Sequence, residues 1–344
     1  MGTAYRIGHD DVEVASPRGS GWLSFLLLHV ALAAFFGWYA SVELRRHPVG
    51  LVPAASIYAS FVMLAALYLA PGFAEVREWL KQQVKPWAAV IVFLLPYCVY
   101  AAGTGDFEWL ALAKLAAIVV VPAGLFAVTP VRNPRRINWQ DVIALAWVYV
   151  PVQFHLTSGI WNVPVNLDFM ARLFIVGVGA WSFLIIRGAE GTGYDFTVSG
   201  GIVRDALVSF AGFSAIGIPL GFLIRFIGWN PQFRGFPQFL ADYVTIFLFV
   251  AVAEELFFRG LLQNLLEGSI GSRYGAQAIV SVLFGFSHIQ HAPAPNWRYV
   301  ALAAIAGWFY GLAYRKHRSL MASTGVHAMV DTLWRTFLTL TPSA

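Results

Sequence analysis

The 344-residue chain is 58% hydrophobic and only 12% charged, with a mean hydropathy of +0.66, which excludes an ordinary soluble domain and identifies a polytopic membrane protein. A net charge of +5 would suggest nucleic acid in a soluble chain. Here the basic residues collect in short gaps between apolar runs, where loop orientation accounts for them and no nucleic-acid partner is expected. The single cysteine, Cys98, excludes an intrachain disulfide and a Cys-based metal cluster.

A polar tail is expected over residues 1–20. The apolar run from Trp22 to Val42 is too long for a signal-peptide core and has no small-residue cleavage site behind it, so it reads as a retained helix. At ~20 residues per span, the chain divides into about eleven apolar segments. They lie at 21–43, 51–71, 87–103, 109–129, 140–156, 168–186, 206–228, 239–266, 275–291, 298–314 and 319–340. The expected fold is an all-α transmembrane bundle: an N-terminal membrane region over 21–187, a polar linker over 188–204 and a C-terminal bundle over 205–340.

Between the second and third segments, Val76, Trp79, Leu80, Val84 and Trp87 recur at helical spacing opposite Arg77, Glu78, Lys81 and Lys85. This pattern predicts an amphipathic helix lying at the cytoplasmic interface of the lipid bilayer. The positive-inside rule places the N-terminus in the cytoplasm, although Arg45, Arg46, Arg234 and Arg298 then fall outside. His29, Lys114, His155 and Arg172 have no partner at helical spacing and read as structural.

The eighth segment carries the chemistry. Glu254 and Glu255 interrupt a run of Phe, Leu, Val and Ala, and an ionisable group at membrane depth costs at least ~2.5 kcal/mol, which makes it a functional-site hypothesis. Glu255 and Arg259 stand at i and i+4 in the favourable order for an ion pair. Glu254 points about 100° away and is left free to act. Phe284 and His288 on the ninth segment, and His327 and Asp331 on the eleventh, are likewise one turn apart. At ~1.5 Å per residue, Glu254, His288 and His327 lie roughly 18, 20 and 12 Å from the cytoplasmic ends of their helices, at similar depth.

A carboxylate and a histidine so placed suit activation of water, and a second histidine can donate to an oxyanion. Glu254, His288 and His327 could instead bind Zn, although the His-Glu-x-x-His signature is absent. The structural alternative is polar residues that join helices. His291, one turn beyond His288, reads as a residue near the outer interface. Gly307 and Gly311 form Gly-x-x-x-Gly, which permits close helix contact.

Glu254-Glu255-Leu256-Phe257-Phe258-Arg259-Gly260, Phe284-Gly285-Phe286-Ser287-His288 and His327-Ala328-Met329-Val330-Asp331 resemble, in order, the motifs of the CAAX protease and bacteriocin-processing family of intramembrane endopeptidases, which includes type II CAAX prenyl endopeptidases. The resemblance covers roughly residues 205–340. It implies that Glu254 and His288 activate water, that His327 and Asp331 stabilise the tetrahedral intermediate, and that Glu255, Arg259 and Phe284 support them. It also implies a membrane-anchored peptide or protein substrate and, by analogy with bacterial relatives, the inner membrane. No cofactor is expected under a glutamate mechanism; Zn is the alternative. Asp331 stands where the eukaryotic-type pattern has Asn, so it either is protonated or orients His327 by accepting its ring proton. The rival functions are a proton-coupled transporter, for which no inverted repeat is found, and an inactive scaffold of the same family.

Overall fold

The computed structural model describes residues 20–164 and 167–341. Apart from Ser20, the expected N-terminal tail lies outside them. The helices, in order, are α1 Ser20–Arg46, α2 Leu51–Gly72, α3 Ala74–Gln83, α4 Pro86–Thr104, α5 Trp109–Val128, α6 Trp139–Gln153, α7 Asp168–Ile186, α8 Gly200–Leu223, α9 Phe236–Ile270, α10 Arg273–Phe286, α11 Trp297–His317 and α12 Leu320–Phe337. Among the described residues, one small antiparallel pair that hydropathy did not foretell accompanies the helices, β1 Ile227–Trp229 with β2 Leu338–Leu340, in the register Ile227 to Leu340 and Trp229 to Leu338. It ties the end of α8 to the end of α12.

Among the described residues, seven helices are long and apolar enough to cross a membrane: α1, α2, α4, α5, α7, α8 and α9. This corrects the expected eleven. Segments 140–156 and 275–291 fold as α6 and α10, of 15 and 14 residues, hence only about 21–22 Å long against the ~30 Å hydrocarbon core. Segments 298–314 and 319–340 form α11 and α12, which carry Arg298, Arg315 and Lys316, and His327, Asp331 and Arg335. These helices are shielded by protein: the first half of α12 is buried almost throughout, from Leu320 to Ala328. A helix enclosed by other helices has no need of an apolar circumference.

The α3 helix forms as expected, with Val76 and Leu80 buried and the Trp79 ring against Trp22 at 5.6 Å. Arg77 does not simply face solvent, because its Nη1 donates to the Pro71 carbonyl at 2.8 Å. The 188–199 stretch is irregular and runs between the two halves of the chain. Tyr194 donates to the Tyr68 carbonyl at 2.7 Å, and Tyr314 donates to that of Gly191 at 2.9 Å.

The helix that joins the two halves is α9. Its Val252, Leu256 and Leu261 pack into the apolar core of α2, α4, α5 and α7, while Phe258 joins a second core built from α8, α10, α11 and α12. At 35 residues it is about 52 Å long, and Glu254 stands near its midpoint. Two π-helical stretches, Phe247–Ala251 and Leu256–Gln263, flank the single α-turn Val252–Glu255. Such widened turns recur at functional sites.

Candidate active site

The α9 turn presents its two carboxylates to different surroundings. Glu255 and Arg259 are fully buried and paired, with Arg259 Nη1 donating to Glu255 Oε1 at 2.9 Å. Arg259 Nη2 also donates to the Gly307 carbonyl on α11 at 2.9 Å, and its guanidinium lies over the Phe284 ring, 4.5 Å from the centroid. A Cβ at position 307 would sit 3.0 Å from Arg259 Nη2 and 3.1 Å from Phe284 Cδ1. The expected close approach at Gly307 is thus present, and it is the space in which Arg259 lies.

Glu255 Oε1 accepts a second bond, from His327 Nδ1 on α12 at 2.9 Å. His327 is almost wholly buried, between the Tyr310 ring stacked on it at 4.7 Å and the Phe284 ring edge-on at 5.8 Å. With Nδ1 held by Glu255, Nε2 faces Asp331 Oδ2 at 3.5 Å and Glu254 Oε2 at 3.9 Å. Both separations exceed a direct hydrogen bond, and polar groups so spaced can share a bridging water. Glu254 and Asp331 are each about a third exposed or more, at 35% and 39%.

His288 corrects the expected helix. α10 ends at Phe286, so His288 sits on the turn beyond it rather than on a continuous ninth span. The reason is local. Ser287 Oγ and His288 Nδ1 both bond the Phe284 carbonyl, at 2.7 and 2.9 Å, and the His288 backbone N–H goes to Gly285 instead. Side chains have displaced the next helical bond. Because a carbonyl can only accept, Nδ1 carries the proton and the neutral ring leaves Nε2 as an acceptor.

A cavity of about 350 Å³ brings Glu254, His288, His327 and Asp331 together. His291, Tyr299 and Arg335 also line it. A second cavity of about 140 Å³ lies on the other side of Glu254 and His288, against α6 and α7. His291 is therefore not merely interfacial: the turn after α10 folds it back so that its ring stacks near His288 at 5.6 Å, with the Tyr299 ring 4.7 Å from that of His288. The His-x-x-His spacing was the available signal for His291. Nothing in the sequence pointed to Tyr299, or to Tyr149 and Gln153 of α6.

Among the described residues, no three His, Cys, Asp or Glu side chains lie close enough together to hold a metal ion.

Residues 236–333 match the family described as Type II CAAX prenyl endopeptidase Rce1-like. The match begins with α9 and ends within α12, so it spans every motif residue above. No curated protein and no solved structure matches the chain.

Proposed function

We propose that the chain is an intramembrane endopeptidase that hydrolyses a peptide bond of a membrane-associated substrate with water activated by Glu254 and His288. The observation that carries this reading is the convergence of Glu254, His288, His327 and Asp331 on one cavity beside the midpoint of α9. The family match over 236–333 supports it.

In this mechanism Glu254 takes one proton from the water while His288 Nε2 accepts a hydrogen bond from the other. The water oxygen attacks the scissile carbonyl carbon and forms the new C–O bond. The oxyanion that develops is met by His327 Nε2. Three carboxylates surround His327 and its Nδ1 is already donating, so a doubly protonated ring supplies the second donor. Collapse breaks the C–N bond, and the proton held by Glu254 passes to the leaving amine. Glu255 fixes the ring of His327, while Arg259 and Phe284 hold α9, α10 and α11 in place; these are positioning residues.

The N-terminus is assigned to the cytoplasm from the loop Lys and Arg distribution. Labelling of cysteines introduced singly at Gly50 or Lys81 in a Cys98→Ser background, using a membrane-impermeant maleimide on intact cells, checks that assignment: Gly50 should label and Lys81 should not. The test of function is cleavage of palmitoylated and prenylated peptides by purified protein in detergent, with and without chelator and added Zn. Cleavage lost in Glu254→Gln and indifferent to chelation supports the mechanism. Loss on chelation that is restored by Zn overturns the metal-free step, and equal cleavage by Glu254→Gln overturns the base.

A further inference from the structure

The 140 Å³ cavity joins residues of the matched region to helices well outside it. On one side are Glu254, Leu256 and Leu261 of α9; on the other are Val148 of α6 and Val176 and Gly179 of α7. Its polar edge is already satisfied. Tyr149 donates to Gln153 Oε1 at 2.8 Å, Gln153 Nε2 donates to the Ser287 carbonyl at 3.2 Å, and the Tyr149 ring stacks on Phe257 at 5.0 Å. What the cavity offers a ligand is therefore apolar wall, with Glu254 and His288 at one end.

Size decides the occupant. A cavity of ~150 Å³ lined by aliphatic and aromatic side chains holds a molecule as large as benzene, which corresponds to one leucine, isoleucine, methionine or phenylalanine side chain. A prenyl chain is several times larger than the space offered here. From this we infer that α6 and α7 build the specificity pocket of the enzyme, a subsite for a single leucine-sized apolar side chain flanking the scissile bond. The pocket sits across the Glu254–His288 partition from the cavity in which the peptide carbonyl is attacked. This inference rests on the proposed peptidase reading, and it gives the first half of the chain a part in substrate choice.

Gly179 is the position from which to test it. A Cβ there meets only Val148 Cγ1, at 3.6 Å, so a larger side chain at 179 grows into the cavity without a clash at its root. Gly179→Leu fills the pocket and Val176→Ala enlarges it, and neither replaces Glu254, His288, His327 or Asp331. Two readouts are used. The first is cleavage of a palmitoylated peptide library varied around the central bond. The second is cross-linking of the same library, carrying a diazirine analogue of leucine at the central position, to Glu254→Gln protein, mapped by mass spectrometry.

The expected wild-type preference is for leucine-sized residues over glycine and tryptophan. Gly179→Leu lowers kcat/KM at least tenfold for the leucine peptide while sparing the alanine peptide, and Val176→Ala admits larger residues. The diazirine attaches to the α6 and α7 segments that line the pocket, and Gly179→Leu abolishes that attachment. Unchanged preference in both variants, or attachment only elsewhere, overturns the subsite while leaving the peptidase reading intact. Attachment at α6 and α7 without cleavage by wild-type protein overturns the peptidase reading and leaves an apolar peptide-binding pocket.

Discussion

Glu255 Oε1 accepts at once from Arg259 Nη1 on its own helix and from His327 Nδ1 on α12, both at 2.9 Å. One oxygen thereby locks the site histidine to the helix that carries Glu254. Adjacent glutamates have separate surroundings: Glu255 is fully enclosed and doubly bonded, whereas Glu254 opens into the cavity and makes no direct bond to His327.

Conservative amide substitutions should separate the pair. Glu255→Gln removes the charge facing a fully buried guanidinium, and breaking one side of such a pair costs about 3–5 kcal/mol. Its unfolding midpoint in detergent should fall sharply. Glu254→Gln breaks no direct contact with His327 and should leave the midpoint nearly unchanged, while kcat drops by at least about 10²-fold, the lower range for losing a general base. If Glu254→Gln unfolds as readily as Glu255→Gln, the division of roles is wrong.

Gly307 makes a second, independent test of how Arg259 is held. Alanine there would place its Cβ 3.0 Å from Arg259 Nη2 and 3.3 Å from Ser281 Cα, and overpacking of that kind costs typically about 1–3 kcal/mol. The expected outcome for Gly307→Ala is a lower unfolding midpoint with reduced kcat, because Phe284, whose ring lies against both site histidines, must move as well. A variant with wild-type stability and turnover would show that α11 can withdraw without cost.

The Ser287 hydroxyl and the His288 ring share the Phe284 carbonyl, which ends α10 early. Ser287→Ala leaves His288 Nδ1 as the sole side-chain partner of that carbonyl, so the ring stays in place with the same tautomer. Activity within about threefold of wild type is expected, since a typical hydrogen bond contributes only about 1 kcal/mol. Loss as large as that of Glu254→Gln would mean that the hydroxyl itself acts on substrate or water.

What could be read in the chain follows from which interactions are local. The Glu255–Arg259 pair, the His327–Asp331 face and the close approach at Gly307 all rest on helical spacing, and all three are present. The span count failed where tertiary shielding replaced lipid, as in the first half of α12, where Ser323, Thr324 and His327 are buried among neighbouring helices. His288 left its helix because side chains captured the carbonyl of Phe284, a competition that periodicity cannot express. Gln153 reached the site across 134 positions of chain, beyond any local pattern.

Asp331 departs from the Asn of the eukaryotic-type motif, and its geometry suggests how a carboxylate serves there. Its Oδ2 faces His327 Nε2 at 3.5 Å, while Nδ1 is occupied by Glu255. An ionised Asp331 can hold the Nε2–H through one water in the resting site and release it to the oxyanion as that forms. An asparagine side chain at this position would keep a carbonyl oxygen for that purpose and bring an N–H₂ donor able to reach the oxyanion itself. Asp331→Asn is therefore expected to retain kcat within about tenfold, and Asp331→Ala, which offers neither acceptor nor donor, to lose about 10²-fold, the range for removing one oxyanion-stabilising group. Single-turnover cleavage of one peptide by both variants measures the difference. Equal losses would place Asp331 outside the reacting cluster, with a part only in lining the cavity.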